Sequence, residues 1–226
     1  MRIKRHQHFT FPSPEEADEN GLLAYGGDLS SERLITAYES GVFPWYELGQ
    51  PILWWNPPKR MILYPNEFKL SKSLRQKLKK ETFELKIDKA FEEVIQQCAA
   101  APRKDQDGTW ITNEMQKAYI DLHNLGFAHS FEAYVNDELV GGLYGISLGR
   151  AFFGESMFSH VSDSSKAAFY HLTQFALKND FDFIDCQLYT SHLSSLGAKE
   201  IDRAQYLEKL NRALDHQDLN HNWSNL

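Results

Sequence analysis

The segment FEAYVNDELVGGLYGISLGRAFF, residues 131–153, is the clearest indication of the fold of this 226-residue chain. Apolar side chains alternate along 131–135 and end at Asn136-Asp137, a pair of residues that favours a tight turn between strands. Two further apolar runs, at 139–147 and 150–153, have the length and composition of strands. The segment therefore predicts three consecutive strands of an antiparallel meander.

Helical patterns lie on both sides of this meander. Apolar residues recur every three or four positions in six stretches, and each stretch predicts an amphipathic helix. These stretches lie near 31–40, 70–79, 88–98, 112–126, 163–177 and 203–214, and shorter strands are predicted at 83–87 and 181–186. Strands interleaved with helices predict an α+β or mixed α/β chain. We divide it into a small, irregular N-terminal domain, residues 1–64, and a larger domain, residues 65–226.

Composition and charge limit the function classes. The chain has 24 Lys and Arg against 31 Asp and Glu, a formal net charge of −7, so any contact with RNA must be local. Cys98 and Cys186 have no metal-type spacing and form no disulfide framework, which favours a reducing compartment. No apolar stretch is long enough for a signal peptide or a membrane span. We therefore expect a cytoplasmic protein without membrane association.

Two acidic residues are the main candidates for chemistry. Asp185 and Gln187 follow a predicted strand, and strict alternation would place both side chains on one side of the backbone. There a carboxylate can take a proton from an amine that the amide orients. The alternative is that Asp185 caps a loop or pairs with a buried Arg. Glu155 lies among aromatic residues, where it needs either a basic group of a substrate or an internal salt-bridge partner.

A basic run and one histidine are candidates for contact with RNA. Residues 69–80 contain six Lys and Arg and no acidic residue, and the alternative to RNA binding is a solvated helix face. His192 is a candidate base, RNA contact or structural hydrogen-bonding group. The candidate RNA-binding residues are Lys72, Arg75 and Lys79 on one predicted helix face, with Lys59 and Arg60 and the terminal Arg2, Lys4 and Arg5 extending the positive field.

Seven short strings occur in one order along almost the whole chain. They are GLLAYGGDL at 21–29, GVFPW at 41–45, WWNP at 54–57, GGLYG at 141–145, GESMFS at 154–159, IDCQ at 184–187 and HLSSLGA at 192–198. Together they resemble the leucyl/phenylalanyl-tRNA–protein transferase family. The resemblance implies a small N-terminal domain followed by a mixed-sheet domain like that of the acyl-CoA N-acyltransferases (GNAT-like). It also implies transfer of Leu or Phe, with Met as a further candidate, from aminoacyl-tRNA to proteins that begin with Arg or Lys, which marks them for N-end rule degradation in bacteria.

The same resemblance assigns roles to individual residues. Asp185 and Gln187 would lie at the reaction centre, and Glu155 would bind the basic N-terminal residue of the acceptor. The aromatic and apolar residues would form two subsites: Trp54 or Trp55 with Trp110 for the terminal adenosine, and Leu143, Phe152, Met157 and Phe158 for the Leu or Phe side chain.

The expected mechanism is direct attack of the acceptor amine on the aminoacyl ester, with no covalent enzyme intermediate. The string GISLG at 145–149 fits Gly-x-Ser-x-Gly, but Ser147 lies in a predicted strand rather than in the strand-to-helix turn of a nucleophile elbow, and neither cysteine lies in a nucleophile motif. We expect a monomer that needs no metal or coenzyme. Two alternatives stay open: an acyl-CoA N-acyltransferase, although its pyrophosphate loop is not found, and a non-enzymatic adaptor for basic protein termini or tRNA ends.

Overall fold

The computed structural model describes residues 10–102, 109–219 and 222–224. Within these ranges the chain forms ten strands in two sheets and seven α-helices. The strands are β1 (Leu22–Tyr25), β2 (Phe43–Pro44), β3 (Leu53–Trp55), β4 (Lys59–Leu63), β5 (Glu84–Ile87), β6 (Ala128–Val135), β7 (Glu138–Leu148), β8 (Ala151–Ser159), β9 (Phe183–Gln187) and β10 (Lys199–Asp202). The helices are α1 (Ser31–Glu39), α2 (Lys72–Lys79), α3 (Phe91–Ala100), α4 (Asn113–Asn124), α5 (Ser164–Lys178), α6 (Ser191–Ser195) and α7 (Arg203–Leu214). No helix in these ranges combines the length and apolar character needed to cross a bilayer.

The larger sheet contains seven strands in the order β10-β4-β9-β8-β7-β6-β5. Strands β6, β7 and β8 form the predicted antiparallel meander, and φ is positive at both turn residues, 50° at Asn136 and 64° at Asp137, as a tight hairpin requires. Of the pairs described, β8 with β9 is parallel and the others are antiparallel. The prediction of an α+β chain with a larger mixed sheet is confirmed.

Two strands of this sheet were not predicted. Strand β4 pairs with β9 and β10, so residues 59–63, at the end of the predicted N-terminal domain, belong to the larger sheet. Both β4 and β10 begin with charged residues, for example Lys59 and Lys199, and both are short. Neither strand therefore has the apolar alternation from which a strand is recognised.

The N-terminal region is more regular than predicted. Strands β1, β3 and β2 form an antiparallel sheet in that order, and β1 begins directly after a turn at Gly21. Gly21 has φ of +97°, and a Cβ atom there would lie 2.4 Å from the Cα atom of Pro57, so only glycine fits. Trp54 of β3 is 1% exposed, and its indole N–H donates to the Gly26 carbonyl at 2.9 Å. The prediction of an irregular domain is therefore wrong for these strands.

Helices cover both faces of the larger sheet. On one face, a cluster of buried side chains joins the sheet to α1, α3, α4 and α7 through Leu34, Val94, Met115 and Leu210. On the other face, α5 and α2 pack through two further clusters, one of which includes Phe169. The sheet is therefore the middle layer, and most of its residues are buried.

Strand β8 contains a β-bulge at Glu155. The register between β7 and β8 shifts between Gly154 and Ser156, which leaves Glu155 as the extra residue. Side-chain alternation is reversed beyond the bulge, so Phe152 and Met157 both pack on the α5 face although five positions separate them. The bulge turns the Glu155 side chain out of the regular alternation of the strand.

Strand β9 contains a second bulge, at Cys186. Met61 of β4 is opposite Gln187, whereas the next residue, Ile62, is opposite Asp185, so Cys186 is the extra residue. Gln187 also has a left-handed backbone with φ of 61°. The prediction that Asp185 and Gln187 lie on the same side through strict alternation is wrong.

Strands β8 and β9 diverge at these bulges. Their parallel pairing ends where Phe153 lies opposite Asp185. Beyond that point β8 continues to Ser159 along β7, and β9 continues to Gln187 along β4. The sheet therefore opens between two adjacent strands near its centre, where polar backbone and side-chain groups become available to a ligand.

The C-terminal segment is fixed to the core by Trp223. Its ring is 1% exposed, stacks on the ring of His129 at 3.4 Å between centroids and lies 4.4 Å from that of Phe175. The Trp223 amide donates to Asp88 Oδ2 at 3.0 Å, and the same carboxylate oxygen accepts from His129 Nδ1 at 2.7 Å. The indole N–H donates to the Leu219 carbonyl. Both N–H groups of Trp223 therefore have hydrogen-bond acceptors, and its apolar ring is buried in the core.

Replacing Trp223 by Ala should lower the free energy of unfolding by about 3–5 kcal/mol, the usual cost of removing a large buried aromatic side chain. Denaturant titration followed by circular dichroism measures the change. The control is Leu177→Ala on α5, where the side chain is 45% exposed, and its cost should stay below about 1 kcal/mol. If both variants had the stability of the parent protein, the C-terminal segment would not be part of the core.

Candidate functional site

A cavity of about 420 Å³ opens where β8 and β9 diverge. Its walls come from five parts of the chain: the strand β2 region, the segment before α4, the two diverging strands with β7, helix α5, and the segment that contains α6. The lining residues are Phe43, Pro44, Trp45, Trp110, Leu143, Tyr144, Gly154, Glu155, Ser156, Met157, Phe169, Leu172, Ile184, Cys186, Gln187, Leu188, Thr190, His192 and Leu193.

Two tryptophans line this cavity, Trp45 and Trp110. Trp45 follows β2 and is 36% exposed. Neither Trp54 nor Trp55 is among the described residues that line the cavity. Trp54 is buried in the core, and Trp55 packs against Trp45. The Trp55 indole N–H donates to the Trp45 carbonyl at 2.7 Å, and the two ring centroids are 5.9 Å apart. The aromatic pair at the cavity is therefore Trp45 with Trp110, and the interpretation of Trp54 or Trp55 as its member does not fit the structure.

The apolar part of the cavity contains two of the four predicted residues. Leu143 and Met157 line it. Phe152 is fully buried against Phe131, at 5.9 Å between ring centroids, and Phe158 faces the opposite side of the sheet. The predicted roles of Phe152 and Phe158 in contacting a ligand therefore do not fit their positions. Three apolar residues missed by sequence analysis complete this part of the wall: Phe169, Leu172 and Ile184.

Glu155 accepts three hydrogen bonds at the polar end of the cavity. Its Oε1 atom accepts from the Tyr38 hydroxyl at 2.7 Å and from the Gln187 side-chain amide at 2.8 Å. Its Oε2 atom accepts from the Tyr119 hydroxyl at 2.9 Å. Tyr38 and Tyr119 are fully buried, so the carboxylate is held rigidly from the side away from the cavity. No basic side chain pairs with Glu155 among the described ion pairs.

The environment of Glu155 changes its acidity. Burial raises the pKa of this carboxyl group to about 7, and the nearby charge of Asp185 acts in the same direction. The hydrogen bonds from Tyr38 and Tyr119, followed by the charge of Arg60, oppose this increase in pKa. Glu155 therefore exchanges a proton near neutral pH, as a general acid or base requires.

Asp185 lies beneath this network and forms a buried ion pair with Arg60. Arg60 Nη2 donates to Asp185 Oδ2 at 2.7 Å, and the Tyr206 hydroxyl donates to the same oxygen at 2.7 Å. Asp185 is fully buried and Arg60 is 1% exposed. The guanidinium lies between the rings of Phe43 and Tyr206, at 4.5 and 4.6 Å from their centroids. The second carboxylate oxygen, Oδ1, accepts from the Gln187 backbone amide at 2.8 Å.

This geometry corrects two sequence-based interpretations. Asp185 is not among the cavity-lining residues that the structure describes, so direct removal of a proton from a substrate amine does not fit its position. Arg60 is equally inaccessible to RNA, because its guanidinium is enclosed by Asp185, Phe43 and Tyr206. The alternative considered for Asp185, a pair with a buried Arg, is the observed arrangement. Gln187 and Glu155, in contrast, both reach the cavity.

The other basic candidates lie on the surface. Lys72, Arg75 and Lys79 are exposed along α2, on the predicted face. Lys59 is exposed and pairs with Asp202 at 2.6 Å. The candidates at positions 2, 4 and 5 lie outside the described residues.

Comparison with known proteins agrees with the motifs. The sequence profile described as leucyl/phenylalanyl-tRNA protein transferase matches residues 62–211, and that of the N-terminal domain of the same protein matches residues 27–58. The leucyl/phenylalanyl-tRNA–protein transferase of Thermodesulfovibrio yellowstonii is 55% identical over 218 residues, which cover 96% of this chain and 89% of the relative. That of Legionella pneumophila strain Corby is 54% identical over 217 residues, with 96% and 97% covered. A solved structure, that of L-PGS from Bacillus licheniformis, is 11% identical with a TM-score of 0.41 and covers 71% of this chain and 66% of its own.

The site and these matches define the class of the protein as an aminoacyltransferase, an enzyme whose family implies aminoacyl-tRNA as the substrate. The chain belongs to the leucyl/phenylalanyl-tRNA protein transferase family. The sequence motifs predicted this membership, and the prediction is confirmed.

Replacing Tyr38 by Phe should raise the pKa of Glu155 above its value of about 7, because the variant loses a hydrogen bond that stabilises the carboxylate. Carbon-detected NMR of the protein with labelled Glu carboxyl groups measures the titration. Tyr189→Phe is the matched control, since Tyr189 is 57% exposed and this variant should leave the titration unchanged. An identical pKa in the Tyr38 variant and the parent protein would contradict the proposed network.

Proposed function

We propose that this enzyme transfers Leu, Phe or Met from aminoacyl-tRNA to the N-terminal Arg or Lys of acceptor proteins, which marks them for N-end rule degradation. The main support is the cavity itself. It joins an aromatic pair, an apolar recess and a polar Glu155–Gln187 pair within about 420 Å³. An aminoacyl ester of adenosine offers one group to each of these three parts: a base to the aromatic pair, an apolar side chain to the recess and a reactive carbonyl to the polar pair.

The aromatic pair is suited to the terminal adenine. Trp45 and Trp110 both line the cavity, and a base stacked on an aromatic side chain gains about 1–3 kcal/mol. Trp55 holds Trp45 in place through its indole N–H. The ribose that carries the ester then lies between the tryptophans and the apolar recess.

The apolar recess is suited to apolar side chains such as those of Leu, Phe and Met. Leu143, Met157, Phe169, Leu172 and Ile184 line it without a charged group among them. A wall of this kind separates side chains that differ by a methylene group by about 1–3 kcal/mol. It excludes polar side chains because their polar groups would be left without partners.

The acceptor amine is bound by Glu155 together with Gln187. A carboxylate has about four sites for accepting hydrogen bonds, and three of those on Glu155 are used by Tyr38, Tyr119 and Gln187. The remaining site fits one N–H of an α-ammonium group better than a guanidinium, which prefers to donate to both oxygen atoms. Glu155 is therefore an acceptor-binding residue for the α-amino group rather than for the basic side chain.

Glu155 also receives the proton that the amine must lose. An α-ammonium group has a pKa near 8 in water, so transfer to a carboxylate with a pKa of about 7 is only slightly uphill. A carboxylate with the ordinary pKa would be a much weaker base. The neutral amine then attacks the ester carbonyl, and the second proton that its nitrogen loses passes through the neighbouring ribose hydroxyl to the leaving oxygen, which leaves the hydroxyl unchanged.

Asp185 acts as a positioning residue in this mechanism. Its Oδ1 atom holds the Gln187 backbone amide in a left-handed turn, and this turn directs the Gln187 side chain toward Glu155. Arg60 and Tyr206 fix the Asp185 carboxylate in turn. The state of Cys186 also supports direct attack without an enzyme-bound intermediate. Burial raises the pKa of its thiol, so the thiolate that would act as a nucleophile does not form near neutral pH.

The exposed face of α2 is suited to the tRNA backbone. Lys72, Arg75 and Lys79 lie along it, and the helix contains no acidic residue. RNA phosphates bind such a surface with a strong dependence on salt concentration. The rest of the chain has a net negative charge, so this face is the local positive surface that RNA binding needs.

The activity is tested with charged tRNAs and synthetic peptides. The enzyme should add one Leu or Phe residue to a peptide that begins with Arg or Lys, which mass spectrometry detects as the mass of that residue. A peptide that begins with Glu and an uncharged tRNA are the controls. Binding of the peptide or tRNA without any product would favour a non-enzymatic adaptor, and acetylation of the peptide by acetyl-CoA would favour an acyl-CoA N-acyltransferase.

Replacing Glu155 by Gln should lower kcat by about 100-fold or more, the usual contribution of a general base, and should remove the increase in rate that the parent enzyme shows as pH rises through about 7. Pre-steady-state transfer assays over a pH series measure both effects.

The matched control for this variant is Glu132→Gln. Glu132 is fully buried and its pKa, like that of Glu155, is raised to about 7, but it accepts hydrogen bonds from Ser130 and from backbone amides outside the cavity. This variant should retain the parent rate and pH profile. Full activity of the Glu155 variant would exclude Glu155 as the base.

A further inference from the structure

The geometry points to a phosphate subsite at the cavity mouth, formed by Lys166 and His192, that binds the backbone phosphate preceding the terminal adenosine of the aminoacylated RNA. We define the cavity mouth as the end lined by Leu188, Thr190 and His192. This inference rests on the proposed function and adds a binding site for the nucleic-acid part of the substrate.

His192 is held at the mouth by the packing of α6. Thr190 caps α6, since its hydroxyl accepts from the Leu193 amide at 3.1 Å. Leu193 packs with Phe169 and Leu172 of α5, so the neighbouring His192 is left at the cavity surface. Among the described residues, no hydrogen bond is made by the His192 ring, whose two nitrogen atoms are therefore available to a ligand.

Lys166 reaches the same place from α5. It lies one turn before Phe169, which lines the cavity, so both residues are on the same side of this helix. The positive charge of Lys166 acts on His192 and, after burial, contributes to the lowered pKa of that ring. Helix α6 packs on α5 through Leu193 beside Phe169, so His192 and Lys166, which lies one turn before Phe169, approach the same end of the cavity.

The local charge balance is positive over the described ion pairs of Lys77, Lys166 and Asp163. Asp163 accepts from Lys77 and from Lys166, each at 2.9 Å, so one carboxylate serves two ammonium groups. Lys166 keeps two further N–H donors for a ligand. A phosphate at this position would then contact an ammonium group and an imidazole ring, which are both common phosphate-binding groups.

The subsite is continuous with the basic face of α2. The Lys69 amide, just before α2, donates to the Leu196 carbonyl at the end of α6 at 2.8 Å. Lys77 of α2 joins the same region to the first turn of α5 through Ser162 and Asp163. A strand of RNA that leaves the cavity past Lys166 and His192 therefore reaches α2 directly.

Two small substrates test the subsite, because only one of them contains the phosphate. The first is adenosine with a 3′-phenylalanyl ester, and the second is cytidylyl-adenosine with the same ester, which adds one phosphodiester. The parent enzyme should have a lower KM for the second. Lys166→Met should raise the KM for the phosphodiester substrate by about tenfold, the value of one charge-assisted contact, and should leave the KM and kcat for the phenylalanyl ester of adenosine unchanged.

Four further variants make the result specific. Lys178→Met removes the same charge from the exposed end of the same helix, about 18 Å along its axis from Lys166. This variant should leave the KM for both substrates unchanged. His192→Phe should raise the KM for the phosphodiester substrate by a larger factor than the KM for the adenosine ester, and His192→Gln, which keeps a donor, should restore part of the loss. Asp163→Asn should lower that KM by about two- to threefold, because it frees both lysines and Asn tolerates the left-handed backbone at this position.

The outcomes separate this inference from the proposed function. Transfer from both substrates by the parent enzyme with equal KM values, or an equal loss on both substrates in the Lys166 and His192 variants, would exclude the subsite and leave the proposed function intact. If the parent enzyme transferred Phe from neither substrate nor from charged tRNA, the proposed function and the subsite would both be wrong.

Discussion

The buried ion pair between Arg60 and Asp185 connects the small sheet, the larger sheet and helix α7 next to the site. It joins two neighbouring strands of the larger sheet, and its guanidinium lies between Phe43 of the small sheet and Tyr206 of α7. Leaving one partner of such a pair alone inside a protein costs about 3–5 kcal/mol. Asp185 also fixes the backbone of Gln187. The pair therefore couples the docking of the N-terminal region to the position of an amide at the cavity.

Two β-bulges convert a regular sheet into a binding site. The bulge at Glu155 turns a carboxylate out of β8, and the bulge at Cys186 ends the regular alternation of β9. The two side chains beyond the divergence meet through the hydrogen bond from Gln187 to Glu155. Because the strands separate there, a substrate can reach polar groups that a continuous sheet would have used in strand pairing.

The proposed chemistry follows from the residues that line this opening. Tyr38 and Tyr119 hold the Glu155 carboxylate from the protein side, while burial keeps its pKa near neutral. One wall of the cavity is aromatic and the next is apolar. An activated ester already contains the energy for transfer, so in the mechanism we propose the protein contributes position, a proton acceptor and exclusion of water.

The sequence by itself determined the family, the α+β class, the central meander and helices such as Arg203–Leu214, because motifs and apolar periodicity are local properties of the chain. It also predicted Glu155, Gln187 and Trp110 as site residues, and all three line the cavity. Only the tertiary structure decided that Asp185 faces a buried Arg60, that Trp45 rather than Trp54 reaches the cavity, and that Phe152 and Phe158 do not. Those outcomes depend on bulges, which reverse side-chain alternation, and on contacts between residues more than a hundred positions apart. Neither leaves a signal in the spacing of residues along the chain, since alternation assumes an unbroken strand and burial is set by whatever packs against it.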